Sequence, residues 1–412
     1  MDQRDDLTDE ATYDRVRLGR RTFLRLATLT TASIPLSAPL WTATADEAPG
    51  PIVKPLPEDK FIVHGTNAET RWEALAGVGD LVPADRFFVR NHTLTPSLSA
   101  DTWRLRLSGS GLRGAPTAGN PVEFTYQDLL DLPAETVTAR IECAGNGRGF
   151  FTSQQGQTVS GTPWRLGAVG VARWRGVPLS TVLERAGLRR AAVDVLPQGL
   201  DPDYVTGGVN LGPVRRPLPI RKALKDVLVA YEMNGEPLPP DHGFPVRLVV
   251  PDWIGIASIK WLGRIEVSDT PLVSPWNTQF YRFFGPDYPS DGELLGPQNT
   301  KSAFELPWNG TLAAGRTHHL HGRSWSGTGG IRKVDVSTDD GHSWHRAIPH
   351  GNGSGWQRWS LPWRPTAPGT YTLRARAVDR TGAAQPGIAP FNTQGYLFGA
   401  VVGHPVTVSA GR

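Results

Sequence analysis

The stretch Ile141-Glu142-Cys143-Ala144-Gly145-Asn146-Gly147-Arg148 contains the only cysteine of the 412-residue chain. Its two glycines permit tight turns and close backbone approaches that a packed strand does not need. Arg148 places a fixed positive charge near the thiol, which favours a thiolate. Free cysteine is also among the most buried residue types and often acts as a small hydrophobe. Local chemistry therefore leaves both a functional and a structural Cys143 open.

Composition narrows the class of protein. The chain has 46 glycines and 36 prolines, together about a fifth of its length, which is typical of a loop-rich, β-rich fold and falls short of disorder. The formal net charge of +4 is spread along the chain and gives no reason to expect nucleic acid as a partner. A single cysteine cannot form an internal disulfide, and it excludes a c-type haem motif, which needs two.

The N-terminal residues 1–45 are interpreted as a twin-arginine signal peptide. Arg20-Arg21 lies in the segment 19–25, an apolar stretch follows over 26–40, and Ala43-Thr44-Ala45 provides a cleavage site. A membrane anchor is the weaker alternative, because the stretch is short and interrupted by prolines. This export route carries folded proteins, so we expect a cofactor inserted before export and a periplasmic or extracytoplasmic location.

Two domains are predicted after the signal. Residues 46–297 begin with a proline-rich extended arm and continue as an α+β domain, with strands at 87–89 and 246–250 and a short helix at 179–186. Residues 298–412 read as an all-β, immunoglobulin-like sandwich, in which 371–377 alternates apolar and polar residues and 334–341 marks a hairpin.

Two features of the second domain suggest a propeller or a metal site, but neither interpretation is preferred. Residues 337–344 resemble an Asp-box hairpin, but a propeller needs repeated blades and the motif occurs once. His318, His319 and His321 suggest a metal site, yet only His319 and His321 share a strand face. A solvated strand is the preferred interpretation.

Four polar segments of the first domain are identified as similar to the sulfite oxidase family of molybdopterin enzymes. They are 87–92, 141–148, 231–247 and 258–262, and the intervening 164–170 and 174–179 resemble the same family. The second domain resembles the family's dimerisation domain through 324–327, the hairpin to Trp344 and 377–379. The resemblance implies one molybdenum-molybdopterin per chain and a homodimer.

The same resemblance implies roles for individual residues. Cys143 would be the protein ligand of the metal, for which soft sulfur is suited. His242, Arg247 and Lys260 would hold the phosphate of the pterin. The remaining residues expected to bind the cofactor are Phe88, Arg90, Asn91, His92, Asp201, Ser258 and Ile259. The residues expected on the substrate side are Arg90, Arg148, Trp164 and Tyr281.

The implied reaction is oxo transfer to a small oxyanion, with sulfite oxidised to sulfate. Electrons would leave one at a time to an external acceptor such as a cytochrome. Two departures weaken the choice of substrate: Gly147 stands where many sulfite-oxidising members have a first arginine, and Gln394 where several have a third pocket arginine. A reductase of sulfoxides or nitrate is therefore the alternative within redox chemistry.

Two hypotheses from other classes stay open. One is a cysteine hydrolase with Cys143 as nucleophile and His242 as base. The other is an exported binding protein in which exposed tryptophans, Trp356, Trp359 and Trp363, form a ligand surface.

Overall fold

The computed structural model describes residues 51–410, and short strands are its main regular elements. Those up to residue 297 are β1 (Phe61–His64), β2 (Asn67–Thr70), β3 (Val89–Arg90), β4 (Arg104–Ser108), β5 (Val122–Thr125), β6 (Glu135–Glu142), β7 (Val169–Pro178), β8 (Asp194–Gly199), β9 (Val205–Thr206), β10 (Val209–Asn210), β11 (Leu218–Pro219), β12 (Leu228–Met233), β13 (Glu236–Pro237), β14 (Arg247–Val249), β15 (Leu262–Ser268), β16 (Arg282–Phe283) and β17 (Glu293–Leu294).

The α-helices of the described part are few and short. They are α1 (Tyr126–Leu130), α2 (Gly149–Gln155), α3 (Leu179–Arg185), α4 (Ile220–Lys225) and α5 (Pro275–Thr278). In α3 the apolar residues Leu179, Val182 and Leu183 fall at the spacing of one helix face, and all three are buried. None of the helices within residues 51–410 has the length and apolar character that crossing a membrane requires.

Two sheets, one mixed and one antiparallel, form the body of the first part. One has the strand order β11-β8-β15-β4-β5, with β15 and β4 parallel. The other has the order β13-β12-β7-β6, with β14 also paired to β12. Strand β6 leads directly into the cysteine loop, and β14 carries Arg247, so the second sheet supplies residues to the candidate site.

The chain after residue 297 forms two further sheets. Its strands are β18 (Lys301–Phe304), β19 (Gly310–Ala313), β20 (His318–Trp325), β21 (Ile331–Ser337), β22 (His345–Arg346), β23 (Ile348–His350), β24 (Gln357–Trp363), β25 (Gly369–Asp379) and β26 (Gly403–Ser409). The strand orders are β18-β20-β24-β23 and β19-β26-β25-β21-β22. Inward-facing residues of both sheets, such as Leu320 and Leu373, share one core.

A second core joins the two parts of the chain. It contains Ile141 and Trp174 from the first part together with Ala303, Trp325 and Trp356 from the second. The sheets after residue 297 are therefore packed against the same element, β6, that presents the cysteine loop.

Several elements expected from the sequence are confirmed. The helix at 179–186 is α3, the strand at 246–250 contains β14, and 371–377 lies within β25 with every second residue buried. The strand expected at 87–89 begins only at Val89, and Phe87 and Phe88 precede it as buried core residues. The predicted signal peptide, 1–45, lies outside the described residues.

Candidate active site

Cys143 is the first residue after β6, in a turn whose geometry depends on its glycines. The Gly145 amide donates to Cys143 Sγ at 3.4 Å, and the Asn146 amide donates to Cys143 O at 2.9 Å. A side chain at position 145 would meet the Arg148 guanidinium at 2.7 Å and would displace it. Cys143 is 7% exposed, packs at the edge of the second core and also lines a cavity.

Two connected spaces meet at Cys143. The inner cavity encloses ≈ 710 Å³, including space open to solvent, and the mouth encloses ≈ 870 Å³ on the same basis. Both are lined by a common set of residues: Arg90, Asn91, His92, Cys143 and Tyr281. The thiol therefore lies where a group bound in the inner cavity would meet a molecule entering through the mouth.

The basic end of the inner cavity is lined by His242, Arg247 and Lys260. Neither Arg247 nor Lys260 forms an ion pair with a carboxylate in the part of the chain that the structure describes, and Arg247 donates only to backbone carbonyls. Burial lowers the pKa of Arg247 to about 9 and holds the pKa of Lys260 well below its ordinary value. Buried cations without a counter-charge are costly, so this end favours an anion.

His242 strengthens that conclusion. Its side chain is 2% exposed, and Nε2 has no hydrogen-bond partner among residues 51–410. Burial, together with the charges of Lys54, Lys260 and Arg247, holds its pKa well below the ordinary value. An unpartnered imidazole nitrogen beside two unpaired cations fits the phosphate of a phosphorylated pterin.

The other residues expected to bind the cofactor line the same cavity. They are Phe88, Arg90, Asn91, His92, Asp201, Ser258 and Ile259. Lys260 Nζ donates to Asn91 Oδ1 and, at 2.7 Å, to the carbonyl of Asp241. Burial raises the pKa of Asp201 to about 6. The cavity therefore offers fixed donors and acceptors along its length, as recognition of a polar ring system requires.

His92 is held as a neutral acceptor next to Tyr281. The indole of Trp276 can only donate, and it donates to His92 Nε2 at 3.2 Å, so the proton of His92 lies on Nδ1. Tyr281 Oη lies 3.4 Å from the same nitrogen. Burial raises the pKa of Tyr281, which therefore stays protonated near neutral pH. Its backbone φ of 58° is unusual for a tyrosine and turns its ring toward the cavity.

Two arginines face the mouth. Arg148 Nε donates to the carbonyl of Gln394 at 2.9 Å and Nη1 to that of Thr162 at 3.1 Å, and its guanidinium lies over the Tyr396 ring. Arg90 Nη1 contacts Asn67 Oδ1 at 3.5 Å. Burial opposes the charge of Arg90, but interactions with Tyr281 and Cys143 outweigh it and hold the pKa above its ordinary value.

The two departures noted in the sequence differ in their consequence. Gly147 has a backbone φ of 93°, and a side chain there would meet Phe398 at 3.0 Å. Gly147 is not among the residues that line the mouth. The positive φ and the contact with Phe398 favour glycine at this position for backbone reasons. Gln394 does line the mouth, and its Oε1 has no hydrogen-bond partner within residues 51–410. A neutral amide there stands in the substrate space itself.

Trp164 lies apart from the other expected substrate residues. Its side chain is fully buried, packs edge-on against His64 and lines neither the inner cavity nor the mouth. Tyr204 and Tyr396, which sequence reasoning missed, line the mouth instead. Tyr396 lies two residues after Gln394, which was already expected in the pocket, and this proximity in sequence could have identified Tyr396 as a mouth residue.

Asp241 is a second missed residue. Its carboxylate accepts from the amides of Val53 at 2.9 Å and Lys54 at 2.7 Å, and from Thr95 Oγ1 at 2.6 Å. It thereby fixes the arm that begins at residue 51 next to the basic end of the cavity. The signal in the sequence was a carboxylate next to His242 in a segment otherwise rich in proline and glycine.

The hypotheses from other classes find no support in the geometry. A nucleophile and its base need a hydrogen bond, and none joins Cys143 to His242 within the described chain. Trp356 and Trp359, read as exposed, are each 1% exposed because they pack in the cores between sheets. Across residues 51–410 no group of three or more histidines, cysteines or acidic residues is arranged to hold a metal by itself, and the histidines of β20 are included.

Comparisons with known proteins agree on one family. Residues 92–276 match the model of the oxidoreductase molybdopterin binding domain, and 298–402 that of the Mo-co oxidoreductase dimerisation domain. Sulfite oxidase of Gallus gallus is 36% identical over 80% of this chain and 74% of its own length. Mitochondrial sulfite oxidase of Rattus norvegicus is 36% identical over 78% of this chain, which spans only 60% of that relative. Among solved structures, the sulfane dehydrogenase SoxCD from Paracoccus pantotrophus has a TM-score of 0.68 and 27% identity, covering 91% of this chain and 92% of its own.

Proposed function

The chain belongs to the sulfite oxidase family of molybdopterin-dependent oxidoreductases, and from this premise we propose that it oxidises sulfite to sulfate. The balanced half-reaction converts sulfite and water into sulfate, two protons and two electrons. We propose that the electrons pass singly to an external one-electron acceptor, a cytochrome. The observation that carries the proposal is the position of Cys143, where the inner cavity meets a mouth that contains Arg90 and Arg148.

The residues of the inner cavity fit a molybdenum-pterin cofactor. When bound, this group supplies two-electron oxygen-atom transfer, which no side chain performs. Cys143 would be its protein thiolate ligand. His242, Arg247 and Lys260 would hold the phosphate with charge-assisted hydrogen bonds. Asn91, His92, Asp201 and the backbone at 258–259 would bind the pterin ring.

On the substrate side, the protein would bind and orient the anion. Arg148 is held by two backbone carbonyls and an aromatic ring, so its guanidinium is fixed before substrate arrives. Arg90 supplies a second positive charge at the boundary of the two spaces. Tyr281, protonated near neutral pH, would donate a hydrogen bond to a substrate oxygen.

A second candidate substrate class is favoured by one residue. Gln394 leaves the mouth with two arginines, and a neutral amide binds a dianion less firmly than a third guanidinium. SoxCD, to which the fold is similar, is a sulfane dehydrogenase. Oxidation of a reduced sulfur group with lower charge is therefore the alternative to sulfite.

The proposal extends to assembly and location. Residues 298–402 match a dimerisation domain, which supports a homodimer built on these two sheets, and their arrangement supports the immunoglobulin-like description. Arg20-Arg21 and the apolar stretch that follows support export in folded form to the periplasm or another extracytoplasmic space.

Purified full-length protein tests the proposal. We expect about one molybdenum per chain, since each chain offers a single cavity thiol, and sulfite-dependent reduction of ferricyanide or a cytochrome. Thiosulfate and a persulfide serve as parallel substrates that decide between sulfite and a sulfane group. Reduction of nitrate or a sulfoxide by a reduced dye, with no oxidation of sulfur compounds, would overturn the proposal in favour of a reductase.

A further inference from the structure

A buried carboxylate immediately precedes the cysteine. Glu142 is the last residue of β6, and its side chain is 0% exposed. Lys301 Nζ lies 2.7 Å from Oε1, Trp325 Nε1 donates to Oε2 at 2.8 Å, and Asn146 Nδ2 donates to Oε1 at 3.0 Å. Arg140 Nε lies 3.9 Å from Oε2 as a second buried cation, so donors and two positive charges stabilise this carboxylate in the interior.

The partners of Glu142 come from opposite sides of the cysteine. Asn146 belongs to the cysteine loop itself, whereas Lys301 lies on β18 and Trp325 on β20. Lys301 Nζ also donates to the Asn146 carbonyl at 2.9 Å. The Lys301 ammonium group therefore bridges Glu142, which precedes Cys143, and Asn146, which follows it by three positions.

The chain after residue 297 contacts the loop at further points. The contacts are Gln298 Nε2 to Glu142 O at 2.7 Å, the Leu397 amide to Ala144 O at 2.8 Å, and Arg148 Nε to Gln394 O at 2.9 Å. None of Glu142, Lys301 and Trp325 lines the inner cavity or the mouth. Any effect of these three on the reaction must therefore pass through the Cys143 loop.

We infer that Glu142, Lys301 and Trp325 form a positioning cluster that holds the Cys143 thiolate in the orientation required for metal binding. The two sheets after residue 297 then help to build the metal site in addition to any role in dimerisation. The inference rests on the proposed function, because a precise thiolate orientation matters only where Cys143 is a ligand. Residues that orient a metal ligand alter metal affinity or activity by about 10- to 100-fold when lost.

The test uses full-length enzyme carrying Lys301→Met, which removes the charge and keeps the aliphatic stem. We expect kcat for sulfite to fall by about 10- to 100-fold while KM changes by less than about twofold, as for residues that act through a metal ligand. Iodoacetamide labelling, followed by mass spectrometry, reports directly on Cys143 because it is the only thiol. Labelling should be at least about tenfold faster in the variant, since a loosened thiolate is released more often.

The matched control is Arg323→Met. Arg323 is likewise fully buried on β20 and paired with Glu305 at 2.7 Å, but its other contacts are the carbonyls of Leu75, Val78 and Gly79 and the Trp356 ring at 4.4 Å, none of which belongs to the cysteine loop. It should lower the midpoint of thermal unfolding and leave kcat and the labelling rate of folded protein unchanged. Lys301→Arg, which keeps the charge, should recover most of the wild-type labelling rate.

Several outcomes decide the inference. If Lys301→Met resembles Arg323→Met, with lower stability and unchanged kcat and labelling, the cluster is structural only and the inference is wrong. If Lys301→Met does not fold, Trp325→Phe, which deletes one donor, gives the same comparison. If wild-type enzyme fails to oxidise sulfite, the proposed function fails, while the labelling rates still decide the positioning role.

Discussion

The two ends of the inner cavity are built in opposite ways. At the basic end, the buried Arg247 and the half-buried Lys260 form no ion pair with a carboxylate in the described chain, and His242 Nε2 has no hydrogen bond there. At the cysteine end, the fully buried Glu142 meets the charges of Lys301 and, at 3.9 Å, Arg140, together with two further donors. The positive charges of the basic end thus lack a paired negative charge, whereas the negative charge of the cysteine end is paired.

This difference separates two tasks. An incomplete cluster of cations gains stability when an anion arrives, so the basic end is suited to capture a phosphate. A completed ion pair holds its neighbours in one arrangement before any ligand arrives, so the cysteine end is suited to orientation. Mutations at the basic end should therefore change cofactor retention, and mutations at the cysteine end should change turnover of cofactor-loaded enzyme.

The largest effect is expected for Cys143→Ser. Loss of the thiolate should lower turnover by more than the about 100-fold that follows loss of an outer partner of a metal ligand. The basic end is untouched, so pterin should still co-purify. Turnover and fluorescence of the released pterin measure the two effects separately. Turnover within tenfold of wild type would contradict the assignment of Cys143 as the ligand.

Arg247→Met should weaken cofactor retention rather than the turnover of enzyme that still holds the cofactor. Removing a charged donor to the phosphate should cost about 1.5–3 kcal/mol of cofactor binding, or roughly 10- to 150-fold in affinity. Cofactor-free protein should unfold at an equal or higher temperature, since an unpaired buried charge is gone. Pterin content after dialysis and the unfolding midpoint measure both. A lower midpoint in cofactor-free Arg247→Met would show that the guanidinium is structural.

Sequence reasoning succeeded where a function resides in one short motif. Cys143, His242, Arg247 and Lys260, predicted to belong to one site, all line the inner cavity, because soft and charged residues beside glycine or proline stand out locally. The extended strand at 371–377 was found for a similar reason, since alternation is a local pattern.

Sequence reasoning failed where partners lie far apart in the chain. Lys301 and Glu142 are 159 residues apart, and nothing near Lys301 distinguishes it from a surface lysine. Trp164 was placed with the substrate residues, but burial beside His64 keeps it off the cavity. The substrate meaning of Gly147 depends on a backbone φ of 93° that no sequence pattern reveals.

The pH dependence of stability should also distinguish the two ends. Burial holds the pKa of His242 well below the ordinary 6.5, so the unfolded chain takes up a proton below that pH and the folded chain does not. Stability should therefore be constant for this group above pH 6.5 and fall below it by about 1.4 kcal/mol per pH unit for each such histidine. His92, also buried with a lowered pKa, contributes in the same direction.

Urea unfolding of cofactor-free protein between pH 7.5 and 5 measures this slope, on the expectation that histidine uptake dominates there. His242→Gln should reduce it by about one proton, whereas His319→Gln, exposed on β20, should leave it unchanged. With cofactor bound, a phosphate beside His242 raises its pKa, so the contribution of His242 should shrink. An equal slope in wild type and His242→Gln would mean that this histidine is protonated in the folded state.

The smallest effect is expected at the mouth, which is only partly closed to solvent. Gln394→Arg adds a third guanidinium beside Arg148, and such a partly exposed charge should lower KM for sulfite by at most about fivefold, with kcat unchanged. The gain should vanish at high salt, because exposed charges are screened within about 10 Å at 0.1 M ionic strength. Gln394→Met, which removes the amide without adding charge, is the control and should not lower KM. If KM falls for a persulfide but for neither of the dianions sulfite and thiosulfate, the neutral amide is not what limits dianion binding, and the electrostatic interpretation of Gln394 is wrong.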